Sequence, residues 1–367
     1  MEVLDSGWLT TGRRAVEFEA GVAAEVGSAH AVAVNSATAA LHLILEALGV
    51  RSGDEVVVPT YTFAACGEVC RYLDARPRLA DVDAKTFNVT AETVEAQLRP
   101  ETKAIMVVHF GGALADMEPI LELARSRNLP VIEDAAHALP ASRDGRAAGS
   151  WGTAGALSFY ATKTVTTGEG GMIVTDSAEI ADRARSMRLH GLRRDAWKRY
   201  TGSGNWYYEI EDAGFKYNMT DVAAAIGIVQ LERAESMRAA RERVARRYSE
   251  GVIAAGLGDL VELPAMPRPN EVHAWHLYPL RLNLDLVQLT RADTIDRLGA
   301  AGIGTSVHFI PLHLHPYYRR TYGYEPGDLP VAKLQYEREI SLPIYPDLSD
   351  AEVDYVVEEL ATIVRRR

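Results

Sequence analysis

The sequence predicts an α/β fold in which a mainly parallel β-sheet is covered by helices on both faces and followed by a smaller α+β domain. Short apolar runs typical of buried strands alternate with helical patterns along the first half of the chain. The chain has 367 residues, which exceeds one ordinary domain and suits a large domain plus a small one.

The first elements combine an irregular arm with a strand that leads into a helix. Residues 6–12 are too irregular for a helix and too apolar for a disordered tail, so we expect this arm to pack on something such as a neighbouring subunit. A short amphipathic helix is predicted at 17–26, a buried strand at 30–34 and an Ala- and Leu-rich helix at 37–48, with Ser36 among its capping residues. Such a helix start can bind an anion, although plain capping explains the same pattern.

The alternation of strands and helices continues to residue 176. Strands are predicted at 55–59, 77–80, 104–109 and 130–132, and helices up to residue 70 and near 120–126. Ligands of parallel sheets bind at the carboxyl ends of the strands. Several polar or aromatic residues occupy those predicted ends, which suggests a site: Ser36, residues 60–63, His109, residues 133–137 and Lys163.

Lys163 lies between two apolar runs, 156–161 and 172–174, and precedes a cluster of turn-forming residues at 166–171. Burial lowers the pKa of a lysine, which suits an amine that attacks carbonyl groups to form a Schiff base. The alternative is a surface lysine in a hairpin loop. Asp134 ends a predicted strand, where a buried carboxylate needs a cationic or hydrogen-bonding partner unless it caps a helix or loop. Phe63 either packs in a core or lies against a planar ligand.

Composition excludes several classes of function. Hydrophobic residues make up 47% of the chain and charged residues 24%, and the net charge of −11 argues against a nucleic-acid or anionic-membrane partner. The sequence has no signal-peptide pattern and no apolar run of about 18 residues, so we expect a cytoplasmic protein. It also has no GxGxxG or GxxxxGK(S/T) motif, which argues against dinucleotide or P-loop nucleotide binding. Cys66 and Cys70 are interpreted as small core residues rather than a zinc half-site or a disulfide.

Eight ordered motifs resemble one family over nearly the whole chain. They are GWLTTG at 7–12, NSATAALH at 35–42, GDEVVVPTYTF at 53–63, VIEDAAHA at 131–138, SFYATK at 158–163, GEGGM at 168–172, RLHG at 188–191 and KYNMTDVAAAIG at 216–227. The chain thus resembles the DegT/DnrJ/StrS sugar aminotransferases, which use pyridoxal 5′-phosphate and have the aspartate-aminotransferase fold, fold type I.

The resemblance implies roles for five positions around the cofactor. Lys163 would hold pyridoxal phosphate as an internal aldimine and would then act as the general base and acid. Asp134 would pair with the pyridine nitrogen and keep it protonated. The backbone of Ala37 and Thr38, together with Ser158, would hold the 5′-phosphate.

Other positions carry over with roles at the ring or across an interface. Phe63 would stack on one face of the cofactor ring, and His137 replaces the glutamine of many members against the opposite face or the ring oxygen. Asn218 would reach the phosphate of the neighbouring subunit, which implies a homodimer with shared active sites. A dehydrase branch of the family has histidine in place of the lysine, so Lys163 favours transamination.

The substrate suggested by the resemblance is a nucleotide-linked 4-keto sugar, dTDP or UDP, aminated at carbon 4 with glutamate as the donor. GWLTTG, EDAAHA, HAWHL at 273–277 and GIGTSVHF at 302–309 most resemble enzymes of the 4-amino-4-deoxyarabinose type. Amination at carbon 3, a cyclitol ketone as substrate, and a non-catalytic sensor remain alternatives. The candidate substrate residues are Trp8, Thr10, Lys216, Tyr217 and His308, with Arg188 and Arg193 as further candidates by position.

Three regions are expected: an arm at 1–20, a large cofactor-binding domain at 21–247 and a small domain at 248–367. A charged helix at 230–247 would link the two domains, and the small one would hold strands at 272–282 and 303–309 and helices at 291–298 and 350–364. His313 and His315 have a metal-like spacing, but no metal site is predicted because no Cys or acidic partner is placed nearby.

Overall fold

A computed structural model of the chain describes residues 1–192 and 208–365. Its first half contains nine strands: β1 His30–Val34, β2 Glu55–Pro59, β3 Arg76–Ala80, β4 Thr102–Val108, β5 Val131–Asp134, β6 Ser142–Arg143, β7 Arg146–Ala147, β8 Ala154–Ser158 and β9 Gly171–Thr175. Seven of them form one sheet in the order β1-β9-β8-β5-β4-β2-β3. Only β9 runs antiparallel to its neighbours β1 and β8. The predicted mainly parallel sheet is therefore confirmed.

Helices cover both faces of this sheet. The helices up to residue 254 are α1 Glu2–Ser6, α2 Arg13–Val26, α3 Ala37–Ala47, α4 Ala65–Tyr72, α5 Ala91–Glu95, α6 Met117–Ser126, α7 Ala178–Met187, α8 Asp221–Glu232 and α9 Ala234–Ala254. Successive strand residues point to opposite faces. Ile105 of β4 belongs to the apolar cluster that includes Phe18 of α2, whereas Met106 belongs to the cluster that includes Leu43 of α3.

The loop between β1 and α3 packs tightly against the start of β9. A Cβ atom at Gly171 would lie only 2.3 Å from the carbonyl carbon of Ser36, so this position requires glycine. Ser36 accepts a hydrogen bond on Oγ from the backbone N–H of Ala39 at 3.1 Å and so caps α3, as predicted. This packing places the start of α3 at the carboxyl end of the sheet.

The second half holds a three-stranded antiparallel sheet with its own core. The helices and strands of this half are β10 Val261–Glu262, β11 Glu271–Val272, β12 Tyr278–Leu282, α10 Arg291–Ala300, α11 Pro316–Tyr322, α12 Pro330–Arg338, β13 Glu339–Leu342 and α13 Asp350–Val364. The sheet order is β10-β12-β13. Its core joins Tyr248 of α9 to Leu280 of β12 and Leu360 of α13. The predicted boundaries, between the arm and the large domain at 20/21 and between the large and small domains at 247/248, stay predictions. Helix α2 continues across the first boundary and helix α9 across the second.

Two strand predictions for this half of the chain are wrong. Residues 272–282 do not form one strand, because β11 pairs with β6 of the first half and only β12 joins the small sheet. Between them, the backbone N–H groups of Ala274 and Leu277 donate to the carbonyls of Gly112 and Gly111. Residues 303–309 make a single bridge, from Ser306 to Ser341, and the strand that completes the sheet is instead β13.

Within the described ranges, no helix is long and apolar enough to cross a membrane.

Candidate active site

A cavity of about 530 Å³ lies at the carboxyl ends of the parallel strands. Its wall is formed by the first half of the chain and by residues 276 and 308–309 of the second half. Eight of the predicted site residues line it: Ala37, Thr38, Phe63, Asp134, His137, Ser158, Lys163 and His308. The structure therefore brings residues from four separate motifs, together with His308, into one site.

Lys163 follows β8 and its amine points into this cavity. Its Nζ atom lies 3.4 Å from Nε2 of His276. Burial lowers the pKa of the amine from its ordinary 10.5 to about 8, and the negative charge of Asp134 only partly offsets this effect. A substantial fraction of the amine is therefore neutral near pH 8, which is the form that attacks carbonyl groups.

Asp134 ends β5 and is 7% exposed. Its Oδ1 atom accepts a hydrogen bond from the backbone N–H of Ala136 at 3.0 Å, and its Oδ2 atom accepts one from Sγ of Cys66, also at 3.0 Å. Burial and the neighbouring Asp134 raise the pKa of the Cys66 thiol well above its ordinary value, so the thiol keeps its hydrogen. Both donors are neutral, which leaves the carboxylate free to pair with a cation in the cavity.

Three histidines surround the lysine amine. Burial and the charge of Lys163 lower the pKa of His137 and His276 well below the ordinary 6.5 and that of His308 to about 4. Each imidazole is therefore neutral at physiological pH. His137 accepts a hydrogen bond on Nδ1 from the backbone N–H of Gly111 at 3.3 Å, and its ring stacks 5.7 Å from that of Phe309.

The start of α3 supplies backbone N–H groups at the other end of the cavity. The first N–H groups of a helix have no partner within the helix, and the Ser36 side chain satisfies that of Ala39. Ala37 and Thr38 line the cavity beside Ser158, whose Oγ accepts from the backbone N–H of Tyr160 at 3.4 Å. This arrangement suits a phosphate group.

The other predicted residues lie outside this cavity in the single chain. Trp8 is 43% exposed and donates from Nε1 to the carbonyl of Thr11 at 3.1 Å, and the carbonyl of Thr10 accepts from the backbone N–H of Asp221 at 3.2 Å. The Tyr217 hydroxyl lies 3.2 Å from Nδ1 of His42. Their roles in substrate binding stay predictions.

Lys216 and Asn218 also lie outside the cavity and bind each other. Nζ of Lys216 donates to Oδ1 of Asn218 at 2.6 Å, and Nδ2 of Asn218 donates to Oγ1 of Thr11 at 2.7 Å. Arg188 is held by Glu19, 2.5 Å from its Oε1 atom. Arg193 lies outside the described residues. Roles for Lys216 and Asn218 at a neighbouring subunit stay predictions.

Two further residues at strand ends have a structural role. His109 and Glu133 are fully buried, and Nε2 of His109 lies 2.8 Å from Oε2 of Glu133. The Glu133 carboxylate also accepts from the backbone N–H groups of Gly149 and Gly152, at 2.8 and 2.5 Å. This pair holds the loop before β8 and does not line the cavity.

The second-half histidines with metal-like spacing are used elsewhere. Nδ1 of His313 lies 2.8 Å from Oγ1 of Thr60, and His315 precedes α11 as its N-cap residue. Across the part of the chain that the structure describes, no group of three His, Cys, Asp or Glu residues could hold a metal ion.

Sequence reasoning missed several residues of the site. Tyr160, His276 and Phe309 line the cavity, and Cys66 supports it from behind. His276 belongs to the HAWHL stretch that carries part of the resemblance, and this is the signal that could have found it. For Cys66 the sequence offered no signal, because a buried cysteine in a helix is ordinarily a core residue.

Comparisons with known proteins give a consistent result. The sequence profile of the DegT/DnrJ/EryC1/StrS aminotransferase family matches residues 1–361. Uncharacterized protein MJ1066 of Methanocaldococcus jannaschii is 49% identical over 364 residues, covering 99% of this chain and 93% of that protein. The spore coat polysaccharide biosynthesis protein SpsC of Bacillus subtilis is 45% identical over 369 residues, with the same coverage. The PLP-form structure of Spr1654 from Streptococcus pneumoniae has a TM-score of 0.89 at 31% identity, covering 99% of this chain and 94% of that one.

Proposed function

The chain belongs to the DegT/DnrJ/EryC1/StrS aminotransferase family, and we propose that it transfers an amino group from glutamate to carbon 4 of a dTDP- or UDP-linked 4-keto sugar. Members of this family depend on pyridoxal phosphate, so the chain is a pyridoxal-phosphate-dependent transaminase. The observation that carries the assignment of roles is the convergence of Lys163, Asp134 and the start of α3 on one cavity.

The donor set of this cavity fits the cofactor. Among the described residues, the hydrogen-bond donors to the Asp134 carboxylate are both neutral, so it can bind a protonated ring nitrogen. The N–H groups at the start of α3 and the Ser158 hydroxyl suit a phosphate. Gly171 permits that helix start to approach β9, and any side chain there would collide with Ser36.

When bound, pyridoxal phosphate supplies a ring that accepts the electron pair released as a C–H bond beside nitrogen breaks. The chain's residues do the rest. Nζ of Lys163, with its lowered pKa, would take a proton from the amino-acid carbon as a general base and, as a general acid, would deliver it to a carbon of the cofactor. The Asp134 carboxylate keeps a proton on the ring nitrogen, and Phe63, which is 64% exposed at the cavity wall, orients the ring from one face.

A sugar substrate is supported by the relatives and by the chemistry of the wall. SpsC takes part, by its name, in polysaccharide biosynthesis. His137, His276 and His308 are neutral, so a ring nitrogen that faces the cavity is either a hydrogen-bond donor or an acceptor, which suits hydroxyl and carbonyl groups. Amination at carbon 3 and a cyclitol ketone are alternatives within the same chemistry, and a sensor without turnover is a third.

The experiment combines purified protein, glutamate and a panel of dTDP- and UDP-linked 4-keto and 3-keto sugars, with products identified by mass spectrometry and NMR. We expect amination at carbon 4. Amination at carbon 3 would overturn the position, and no amination of any sugar would favour a cyclitol ketone or a sensor. Lys163→Ala should abolish turnover and the visible absorbance of the bound cofactor, and full activity in this variant would refute the assignment.

We also propose a homodimer with shared sites. The face of α8 carries exposed apolar side chains, Val222, Ile226 and Val229, close to the arm that bears the exposed Trp8. Covering such a surface with a second copy would bury it and would let Asn218 reach the partner's phosphate site. Analytical ultracentrifugation tests the assembly, and a monomer at micromolar concentration would contradict it.

A further inference from the structure

A chain of hydrogen bonds leads from the cavity into the core of the small sheet. His308 lines the cavity, and its Nδ1 atom lies 2.9 Å from Oγ of Ser341 on β13. Ser341 Oγ in turn donates to Oε1 of Glu339 at 2.5 Å. The second carboxylate oxygen, Oε2, accepts from the backbone N–H of His308 at 3.0 Å. Both oxygens of the Glu339 carboxylate are therefore connected to His308 by hydrogen bonds, Oε2 directly and Oε1 through Ser341.

The single hydrogen of the Ser341 hydroxyl gives this chain a direction. A charged carboxylate can only accept, so Ser341 must donate its hydrogen to Glu339. Its oxygen can then only accept from His308, which places the imidazole hydrogen on Nδ1. Nε2, the ring nitrogen left for a ligand, then carries a lone pair and acts as an acceptor.

A proton on Glu339 reverses the direction. Oε2 still accepts from the backbone N–H of His308, so the added proton resides on Oε1 and is donated to Ser341. Ser341 then donates its own hydrogen to Nδ1 of His308. The imidazole hydrogen moves to Nε2, which becomes a donor toward the cavity.

We propose that Glu339, acting through Ser341, decides which nitrogen of His308 carries the hydrogen and hence whether the cavity meets a hydrogen-bond donor or an acceptor at this position. Glu339 and Ser341 are positioning residues, and His308 is the residue that a ligand contacts. For the substrate, this inference rests on the proposed function: a donor at Nε2 suits the carbonyl or diphosphate oxygens of a nucleotide-linked keto sugar.

Charges around the chain place the change in an accessible pH range. Burial raises the pKa of Glu339 to about 8, against the opposing effects of Ser341, of the His308 backbone N–H, and of the cations Arg291 on α10 and Arg281 on β12. The buried Tyr61 hydroxyl, from the loop after β2, also faces Glu339. On the cavity side, burial and the charge of Lys163 keep His308 neutral. At His308 itself, the titration of Glu339 around pH 8 then changes only the position of the imidazole hydrogen.

The test is 15N solid-state NMR of the holoenzyme labelled at its histidine nitrogens, with the His308 signals assigned by their loss in His308→Asn. We expect wild type to carry the hydrogen on Nε2 at pH 6.5 and on Nδ1 at pH 9.5. In Glu339→Gln the amide oxygen must face the backbone N–H, so its NH2 group donates to Ser341 and the hydrogen should stay on Nε2 at both values. A wild-type signal that does not change, or a variant that follows wild type, would overturn the proposal.

Two further variants separate this role from simple packing. Ser341→Ala breaks the chain without altering the carboxylate and should leave the His308 signals independent of pH around 8, which also decides the case if Glu339→Gln does not fold. Glu337→Gln removes a carboxylate from α12, close in sequence to Glu339, where it is 44% exposed and pairs with Lys333. This control should behave as wild type.

Kinetics add a second readout. Losing one neutral hydrogen bond weakens binding by up to about tenfold. The KM of the wild-type enzyme for its keto-sugar substrate should therefore rise by up to about tenfold between pH 7 and 9. In Glu339→Gln this KM should stay constant. The half-reaction with glutamate should be the same in both proteins. If no sugar is aminated, the proposed function fails, and the NMR result alone decides the hydrogen-bond chain.

Discussion

Sγ of Cys66 donates a hydrogen bond to Oδ2 of Asp134 at a distance of 3.0 Å. This bond connects helix α4 to the end of strand β5. The thiol also lies 3.1 Å from Oγ1 of Thr62. Burial and the nearby carboxylate keep this thiol protonated, so it acts as a fixed donor behind the group that is proposed to hold the ring nitrogen. A cysteine that the sequence predicts to be a core residue thus donates a hydrogen bond to a carboxylate of the candidate site.

Cys66→Ala should therefore lower kcat by up to about tenfold and the free energy of unfolding by about 1–3 kcal/mol, because Asp134 loses a donor and a small cavity forms. Cys66→Ser keeps a hydroxyl donor and should retain most of the activity. Steady-state kinetics and urea denaturation measure both effects. Cys70→Ala is the matched control, since the Cys70 thiol donates to the backbone carbonyl of Cys66, at 3.5 Å, and does not contact Asp134 in the described part of the chain. Equal activity losses at both positions would contradict the role of Cys66.

The lowered pKa of Lys163 predicts how fast the cofactor-free chain captures pyridoxal phosphate. Only the neutral amine attacks the aldehyde, so the rate should rise with pH through a midpoint near 8 instead of 10.5. Stopped-flow absorbance of the bound cofactor, recorded from pH 6 to 10, measures this midpoint. A midpoint near the ordinary lysine value would show that the amine is not desolvated.

Linkage gives the same lysine a signature in stability. Between pH 8 and 10.5 the unfolded chain binds more protons at Lys163 than the folded chain does, so the unfolding free energy rises with pH in that window. Lys163→Met removes this contribution. The difference in unfolding free energy between cofactor-free wild type and this variant should therefore shift in favour of wild type as pH rises from 8 to 10.5. A pH-independent difference would contradict the burial of a charged amine.

Mixed dimers test whether Asn218 acts across an interface. Lys163→Ala and Asn218→Ala should each be impaired alone, but co-refolding equal amounts should restore about a quarter of the wild-type activity, because half of the dimers are mixed and each mixed dimer has one intact site. Mixing Lys163→Ala with Asp134→Asn is the control. Both of those residues line the same chain's cavity, so no site becomes whole. Recovery in the control, or none with Asn218→Ala, would refute the shared site.

The cap of α3 links stability to phosphate binding. Ser36→Ala should reduce the unfolding free energy by about 0.5–2 kcal/mol, since the N–H of Ala39 loses its partner. It should also weaken pyridoxal phosphate binding by changing the helix start at the cavity. Ser177→Ala removes the equivalent cap of α7, where Oγ accepts from the backbone N–H of Ile180 at 3.3 Å. That control should lose similar stability but bind the cofactor normally, as measured by denaturation and by fluorescence titration.

Much of the site follows from local patterns. Apolar runs predict where strands end, and the alternation of strands with helices predicts that those ends meet along one edge of a parallel sheet. The sequence pattern alone therefore predicts that Ser36, Asp134 and Lys163 lie together. The family resemblance adds the cofactor, because its motifs occur in order over nearly the whole chain. Both the mainly parallel sheet and the family are confirmed.

What only the tertiary structure decided depends on contacts between distant segments. His276 reaches Lys163 because residues 273–277 leave the strand pattern to bind the carbonyls of Gly111 and Gly112, and no periodicity in one segment encodes its affinity for another. Glu339 is likewise an ordinary charged residue in the sequence. Packing buries Glu339 beside Ser341, which raises the cost of its charge, and hydrogen bonds through Ser341 connect it to His308 at the cavity wall. Local sequence determines which helices and strands form. The packing of those elements determines which polar groups lose contact with water and therefore form hydrogen bonds or ion pairs with one another.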